Sequence, residues 1–181
     1  DDPSSSYGLI AESYILANDR LSVIFNIDKS ARFSNGDKIT AFDVKQSYEL
    51  LISDSAHPQY RIYWSDIDTA NVIDESTIQF TFKRRNPELH MIIGDLPVFS
   101  KSWLNETNFS TTTKKLPITS GPYKIKSYDT GKFIIYERDK TYWASNKPVR
   151  KFMYNFDLIT IKYYKDMTVA LEAFKAGEYD Y

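Results

Sequence analysis

The stretch ARFSNGDKITAFDV at residues 31–44 combines a tight turn with the start of a helix. Asn35 and Gly36 both tolerate the positive φ angle that such a turn requires. Thr40 can cap a helix through its hydroxyl, and Asp43 follows three residues later, at the spacing of a capping box with a short acid. We therefore predict a helix that begins directly after Thr40.

Apolar residues recur on both sides of this stretch with the periods of regular secondary structure. Val44, Tyr48, Leu51 and Ile52 follow it at helical spacing, which predicts a helix with one buried face. Before it, apolar residues alternate with polar ones over residues 21–28, the period of two that indicates a half-buried strand. The stretch therefore joins a strand to a helix through a turn.

The rest of the chain is dominated by predicted hairpins. The last predicted helix should direct Leu171 and Phe174 inward and end at Gly177. Because strands follow one another without regular alternation with helices, we predict an α+β fold with mixed or antiparallel sheets and a few helices. The further predicted strands cover 71–74, 77–82, 121–128, 132–137 and 158–164, and the further helices cover a short segment ending near Ile93 and residues 167–176.

Composition narrows the function classes. The chain has 181 residues, of which 42% are hydrophobic and 15% aromatic, and its 23 basic and 24 acidic side chains leave a net charge of −1. A chain this neutral has no bulk attraction to nucleic acid or to anionic lipid, so we expect no nucleic-acid partner. No apolar run approaches the roughly 18 residues of a membrane span.

The sequence also lacks the motifs of common catalytic and metal sites. It contains no cysteine, and its two histidines, His57 and His90, are far apart and outside any zinc-binding pattern. Glycine-rich nucleotide loops and the hydrolase elbow are absent as well. We therefore predict no metal site, no cofactor and no enzyme activity. A glycosidase-like enzyme stays an alternative that would need two carboxylates about 5 to 10 Å apart in one pocket.

A dense aromatic group follows His57 and Pro58. Tyr60, Tyr63 and Trp64 combine apolar rings with polar tips, which suits a surface that accepts varied ligands. The same three residues would equally serve as core packing. Their spacing alone leaves both interpretations open.

Four segments of the chain carry a family resemblance: YGLIAES at 7–13, the stretch at 31–44, SGPY through ERDKTYW at 120–143, and TVALEAFKAGEYD at 168–180. In this order they resemble the extracytoplasmic solute-binding proteins of peptide ABC importers (family 5, oligopeptide-binding type), most closely the Yej-type branch of that family. Asn35 stands where this family usually has Asp, a departure that the turn tolerates.

The resemblance implies a two-lobed periplasmic-binding-protein fold of class II, of which this chain is a fragment. Residues 1–92 would form the accessory subdomain of the first lobe and residues 93–181 part of that lobe, with the second lobe absent from this chain. It further implies a monomer in the periplasm that captures oligopeptides and delivers them to an ABC permease of the inner membrane. Heme, a nickel complex or a dipeptide-like conjugate are alternative ligands within the family.

The resemblance also indicates where a ligand would lie. The stretch after Pro58 borders the cleft in this family, which makes Tyr60, Tyr63 and Trp64 candidates for its wall, and Asp95 and Pro97 lie where the chain returns from the accessory subdomain. Asp95 would accept a hydrogen bond from an amide or amine, although a helix-end turn explains it as well. Without a second lobe to close on the ligand, this chain alone should bind peptide weakly or not at all.

Overall fold

The computed structural model describes residues 7–111 and 115–180, which form seven strands and five helices. Both sheets are antiparallel, which confirms the α+β class. The elements are β1 (Ala11–Leu16), β2 (Ser22–Ile27), α1 (Ala41–Ile52), α2 (Pro58–Tyr63), β3 (Ile67–Asp74), β4 (Thr77–Phe82), α3 (Leu89–Gly94), α4 (Lys101–Leu104), β5 (Tyr123–Asp129), β6 (Phe133–Arg138), β7 (Leu158–Lys162) and α5 (Met167–Lys175).

The first sheet has the strand order β1-β2-β4-β3 and carries α1 on one face. β4 forms where a strand is predicted, and along it the apolar side chains alternate with polar ones: Ile78, Phe80 and Phe82 are all buried. Tyr48 of α1 meets Phe80 edge to face, with 5.7 Å between the ring centroids. Its hydroxyl also donates to the carbonyl oxygen of Ile67 at 3.4 Å. The helix is therefore held on the sheet by its predicted apolar face.

The predicted capping box at the start of α1 is present. The backbone N–H of Thr40 donates to the carboxylate of Asp43 at 2.9 Å, and the N–H of Asp43 donates to the Thr40 hydroxyl at 3.4 Å. In the turn before it, Gly36 has a φ of 91°. Asn35 contributes differently, since its side-chain oxygen accepts a hydrogen bond from the N–H of Asp37 at 3.1 Å.

The second sheet has the order β5-β6-β7 and joins the first through residues on loops. The N–H of Ser34 donates to the carbonyl oxygen of Thr119 at 2.7 Å, and the Lys147 ammonium pairs with the buried carboxylate of Asp28. Trp143 packs against the apolar core beneath the first sheet. These contacts tie the two sheets together over long distances in sequence.

One cluster of buried apolar residues extends from Val23 to Leu96. Tyr142 is also buried, and with Trp143 it anchors the segment after β6. The predicted subdomain boundary after residue 92 falls inside this cluster, between Leu89 and Leu96, and stays a prediction about a longer protein. None of the helices within the described residues has the length and apolar character of a membrane span.

Several local predictions were wrong. β1, α2 and α4 were not predicted, because each is short and its pattern is weak. Leu171 and Phe174 of α5 do not face a core: they are 51% and 49% exposed, and Ala173 is the buried residue of that helix. The apolar side chains of α5 do form a stripe along the helix, but none of the described helices and strands packs over it. The predicted stop of this helix is confirmed, since Gly177 has a φ of 74°.

Candidate functional site

Helix α2 positions the aromatic group that the sequence singled out. His57 caps this helix through its Nδ1 atom, which accepts the N–H of Gln59 at 3.2 Å, and Pro58 occupies the first turn. A proline there is already set to the φ angle of a helix. The resulting six-residue helix, with Trp64 as its C-cap, brings Tyr60, Tyr63 and Trp64 to neighbouring positions.

The three aromatic residues have different surroundings. Trp64 is buried, with 3% of its surface exposed, whereas Tyr60 and Tyr63 are 42% and 50% exposed. Tyr60 stacks on the Trp64 ring at 5.8 Å, and Tyr63 meets it edge to face at 5.3 Å. Trp64 therefore supports two tyrosine rings that solvent reaches. We call Tyr60, Tyr63 and Trp64 the aromatic ledge.

The ledge is fixed to α3, the helix that precedes the other predicted site residues. The indole N–H of Trp64 donates to the carbonyl oxygen of Ile92 at 3.3 Å. Asp95 directly follows α3 as its C-cap, and both Asp95 and Pro97 are exposed. Asp95 therefore lies at the end of a helix, which agrees with its explanation as a helix-end turn residue. Its side chain is also exposed, so the carboxylate is accessible to a ligand.

A cavity of about 560 Å³ opens next to α3. It is lined by residues 7–14, by apolar side chains of β2 and β4, and by α3 with the residues after it. Asp95 is one of its lining residues, whereas Pro97 and the aromatic ledge are not. The structure thus links the ledge on α2 to α3 through Trp64, and it places Asp95 in a separate cavity. Whether any of the five binds a ligand stays a prediction.

The cavity is mainly apolar, with a few polar groups. The described residues that line it include the carboxylates of Glu12 and Asp95 but neither Lys nor Arg. Tyr14 and His90 lie against each other across it, with ring centroids 5.3 Å apart. The sequence does not predict this cavity, because its lining residues are far apart along the chain. Part of the lining belongs to β1, which has no clear alternation to reveal it.

The described carboxyl groups with shifted pKa values lie outside the cavity. Burial by itself raises the pKa of Asp28 and of Asp139. Hydrogen bonds from Lys147 and Ser30 outweigh burial at Asp28, and those from Thr141 with the charge of Lys124 do so at Asp139, so both pKa values lie below the ordinary one. A carboxyl group with a lowered pKa is ionised at neutral pH and carries no proton to donate as a general acid.

The described part of the chain also contains no group of three or more His, Asp or Glu side chains that could hold a metal ion. The surroundings of α3 therefore offer the aromatic rings of the ledge on one side, and an apolar cavity with two accessible carboxylates on the other. These groups are suited to binding by contact and hydrogen bonding.

The family to which this sequence belongs follows from its match to known proteins. Residues 6–181 match the sequence model of the bacterial extracellular solute-binding proteins, family 5 Middle. The chain belongs to this family. The match covers all the described residues and confirms the resemblance that the four segments indicated.

Similar proteins agree with this assignment. The chain is 37% identical over 180 residues to YejA of Escherichia coli strain K12, covering 99% of this chain and 30% of that protein. It is 32% identical over 189 residues to the "Probable peptide-binding protein YejA" of Agrobacterium fabrum, covering 100% of this chain and 30% of the relative. The chain thus spans about 30% of the length of these relatives.

Solved structures of family members share the fold. The structure of NikZ from Campylobacter jejuni in complex with Ni(L-His) superimposes with a TM-score of 0.79 at 20% sequence identity. The match covers 94% of this chain and 33% of that one. At this identity the likeness establishes the fold and says nothing about the ligand of this chain.

Proposed function

We propose that this chain is part of the substrate-binding component of an ABC transporter, which captures oligopeptides in the periplasm and delivers them to the permease of the inner membrane. The observation that carries the proposal is the family match over residues 6–181, together with a 32% identical relative named as peptide-binding. The component would act by binding alone, without catalysis and without a cofactor.

The aromatic ledge supports a peptide ligand. Tyr60 and Tyr63 expose about half of their surfaces while Trp64 holds their rings in place. Tyrosine offers a large contact area at a low cost in conformational entropy, which suits ligands whose side chains vary. The net charge of −1 is consistent with a receptor that takes peptides of either charge. We assign the ledge to the wall of the ligand site.

We assign Asp95 and Pro97, which follow α3, to a second part of the ligand site, apart from the ledge. The exposed carboxylate of Asp95 is available to accept a hydrogen bond from a peptide amide or amine. A nickel complex, heme or a peptide conjugate is the competing ligand class within the family. At 20% identity, the superposition on NikZ gives no observation in favour of nickel for this chain.

The test is calorimetric titration of the longest natural polypeptide that contains this chain, with short peptides of mixed sequence in one series and Ni(L-His) in another. We expect heat from the peptides only. Tyr63→Ala and Asp95→Ala should each weaken peptide binding about five- to tenfold, the size of a contact residue's contribution.

Tyr163→Ala is the matched control, because Tyr163 is also 50% exposed but lies just after β7, in the other sheet. The affinity of the Tyr163→Ala variant for peptide should equal that of the unmodified protein. Binding of Ni(L-His) without binding of any peptide would overturn the proposed ligand. Unchanged peptide affinity in both site variants would remove the ledge and Asp95 from the site.

A further inference from the structure

Asn35 is the only one of the nine asparagines in the sequence that is followed by glycine. Asparagine is a chemically labile residue, and a following glycine leaves its side-chain amide open to attack, because glycine has no side chain to hinder the approach of its backbone nitrogen. The other eight asparagines precede residues with side chains: Asp19, Ile27, Val72, Pro87, Glu106, Phe109, Lys147 and Phe156. The turn before α1 therefore contains the asparagine of this chain that is most prone to lose its amide.

The reaction that an Asn-Gly pair allows is deamidation. The Gly36 nitrogen gives up its proton to a base in the solvent and bonds to the side-chain carbon Cγ of Asn35, while the amide C–N bond breaks and its nitrogen takes a proton and leaves as ammonia. Water then opens the resulting five-membered ring at either carbonyl carbon, which leaves aspartate or isoaspartate. The net reaction consumes one water molecule and releases one ammonia, and nothing is oxidised or reduced.

In the folded turn, hydrogen bonds hold both reacting groups. The N–H of Gly36 donates to the carbonyl oxygen of Phe33 at 2.9 Å. The side-chain nitrogen of Asn35 donates to the carboxylate of Asp37 at 2.6 Å, and its side-chain oxygen accepts the N–H of Asp37 at 3.1 Å. Because a carboxylate only accepts and an N–H only donates, these two bonds fix the orientation of the Asn35 amide. The amide is thus bound at both of its polar atoms to Asp37, and the attacking nitrogen is bound to Phe33.

The turn is in turn fastened to the rest of the molecule. The N–H of Phe33 donates to the carbonyl oxygen of Asp37 at 2.9 Å, and the Ser102 hydroxyl on α4 donates to the Asp37 carboxylate at 3.0 Å. Ser34 forms two hydrogen bonds with Thr119, from its own N–H at 2.7 Å and to its hydroxyl at 3.3 Å. The turn therefore opens only when several bonds break together, and such local opening involves a small fraction of the molecules at any time.

We propose that Asn35 is a deamidation site that the folded turn keeps closed, with Asp37 as the residue that holds it, and that it converts to aspartate or isoaspartate when the turn opens. The reacting groups belong to residues 35 and 36, so the site needs no partner and does not depend on the proposed peptide transport. The change is one-way. Isoaspartate inserts one more carbon into the backbone between Phe33 and Asp37, so the hydrogen bonds that close the turn lose their geometry.

The first test compares folded and unfolded protein. The longest natural polypeptide that contains this chain is incubated in mildly alkaline buffer with and without denaturing urea, and peptide mass spectrometry follows the conversion of each asparagine. In urea, Asn35 should convert at least about tenfold faster than Asn71, whose neighbour Val72 is β-branched. In the folded protein Asn35 should convert at least about tenfold more slowly than in urea, because only molecules with an open turn react. Equal rates at Asn35 in the two conditions would overturn the proposal.

The second test removes the side chain that holds the amide. Asp37 is exposed, so Asp37→Ala leaves the core untouched. Its rate of conversion at Asn35 in the folded state should rise about three- to tenfold, the range that corresponds to the net contribution of one hydrogen bond. The rate in urea should stay the same, so the ratio of the two rates isolates the effect of the turn. Asp37→Asn keeps an acceptor oxygen in the same place and should keep the slow rate.

Asp74→Ala is the matched control for Asp37→Ala. Asp74 is also an exposed turn aspartate whose carboxylate accepts the N–H of the residue two positions on, here Ser76 at 2.8 Å, but it lies in the turn between β3 and β4. The rate at Asn35 in this variant should equal that of the unmodified protein. An unchanged folded-state rate in Asp37→Ala would overturn the proposal. So would an equal acceleration by Asp74→Ala, since the loss of a negative charge would then be the cause.

Hydrogen exchange tests whether the change is one-way. Deamidated molecules carry one more negative charge and can be separated by ion exchange, and the isoaspartate fraction is then identified by peptide mapping. In that fraction the amides of Phe33 and Gly36 should exchange faster than in the unmodified protein, because the hydrogen bonds that protect them are lost. Unchanged exchange at both amides would contradict the inferred opening of the turn.

Discussion

Replacement of Lys147 by methionine probes the ion pair that ties the two sheets together. The carboxylate of Asp28 is buried and accepts hydrogen bonds from the N–H of Ser30 at 2.7 Å, from its hydroxyl at 2.5 Å, and from the Lys147 ammonium. The same ammonium lies 5.7 Å from the centre of the Trp143 ring. Lys147→Met keeps the length of the side chain and removes its charge.

The expected loss is about 2 kcal/mol in the free energy of unfolding at pH 7. Removing one partner of a fully buried ion pair costs about 3–5 kcal/mol, because the other charge stays buried without compensation. Here the Lys147 side chain is 34% exposed, so water screens part of the interaction, and Ser30 continues to satisfy Asp28. For a chain of this length the loss corresponds to a fall in melting temperature of about 4–8 °C.

The effect should depend on pH in a defined direction. Hydrogen bonds, including the one from Lys147, hold the pKa of Asp28 below its ordinary value, so this carboxylate stabilises the fold above that value and loses its contribution as the pH falls through the folded-state pKa. In the variant the pKa of Asp28 should rise. The difference between variant and unmodified chain should therefore shrink between about pH 5 and pH 3.

Urea unfolding at matched pH values measures both quantities. Lys45→Met is the control, because Lys45 forms an exposed pair with Glu49 at 3.7 Å within α1. Its removal should change the free energy of unfolding by no more than about 0.5 kcal/mol. The reasoning is refuted if Lys147→Met costs no more than this control, or if its cost is the same at pH 7 and pH 3.

Two further substitutions test the construction of the first sheet. Phe80→Ala removes a ring that is 1% exposed and contacts both Phe25 and Tyr48, so it should cost about 3–5 kcal/mol in urea unfolding; a cost below 1 kcal/mol would contradict the packing described. Thr40→Ala removes the hydroxyl that caps α1 and should lower the free energy of unfolding by about 1 kcal/mol, whereas Thr40→Ser keeps a hydroxyl and should retain most of that stability. Equal stability of the unmodified chain and both variants in thermal unfolding would show that the cap contributes nothing.

The elements that could be predicted from sequence are those in which the local signal and the tertiary environment agree. The capping residues Thr40 and Asp43 fix the start of α1 whatever packs around it, and the alternation in β4 matches a strand with one buried face. α5 shows the opposite case. Its spacing is helical and the helix forms, but Leu171 and Phe174 would be buried only if another element lay over them. Periodicity in the sequence shows that one face of a helix is apolar, but it does not show whether another element packs over that face.

The candidate site shows the same limit. Spacing could not decide between core packing and a ligand wall for the aromatic ledge, because neighbouring rings on a short helix have different surroundings: Trp64 is buried while Tyr60 and Tyr63 are exposed. The cavity beside α3 could not be predicted from the sequence for a different reason. Its lining combines residues 7–14, apolar side chains of β2 and β4, and α3 with residues that follow it, which no local pattern connects. Such contacts depend on the whole fold.

The strand order of the first sheet also determines how that sheet has to fold. β1 with β2 and β3 with β4 are each joined by a short turn, so each hairpin can form by itself within microseconds. The pairing of β2 with β4 is different, since Asn26 lies opposite Thr77 and the whole of α1 and α2 stands between them in the chain. Closing so long a segment costs entropy before any contact is gained. We therefore expect the docking of two preformed hairpins to limit the folding rate of this sheet.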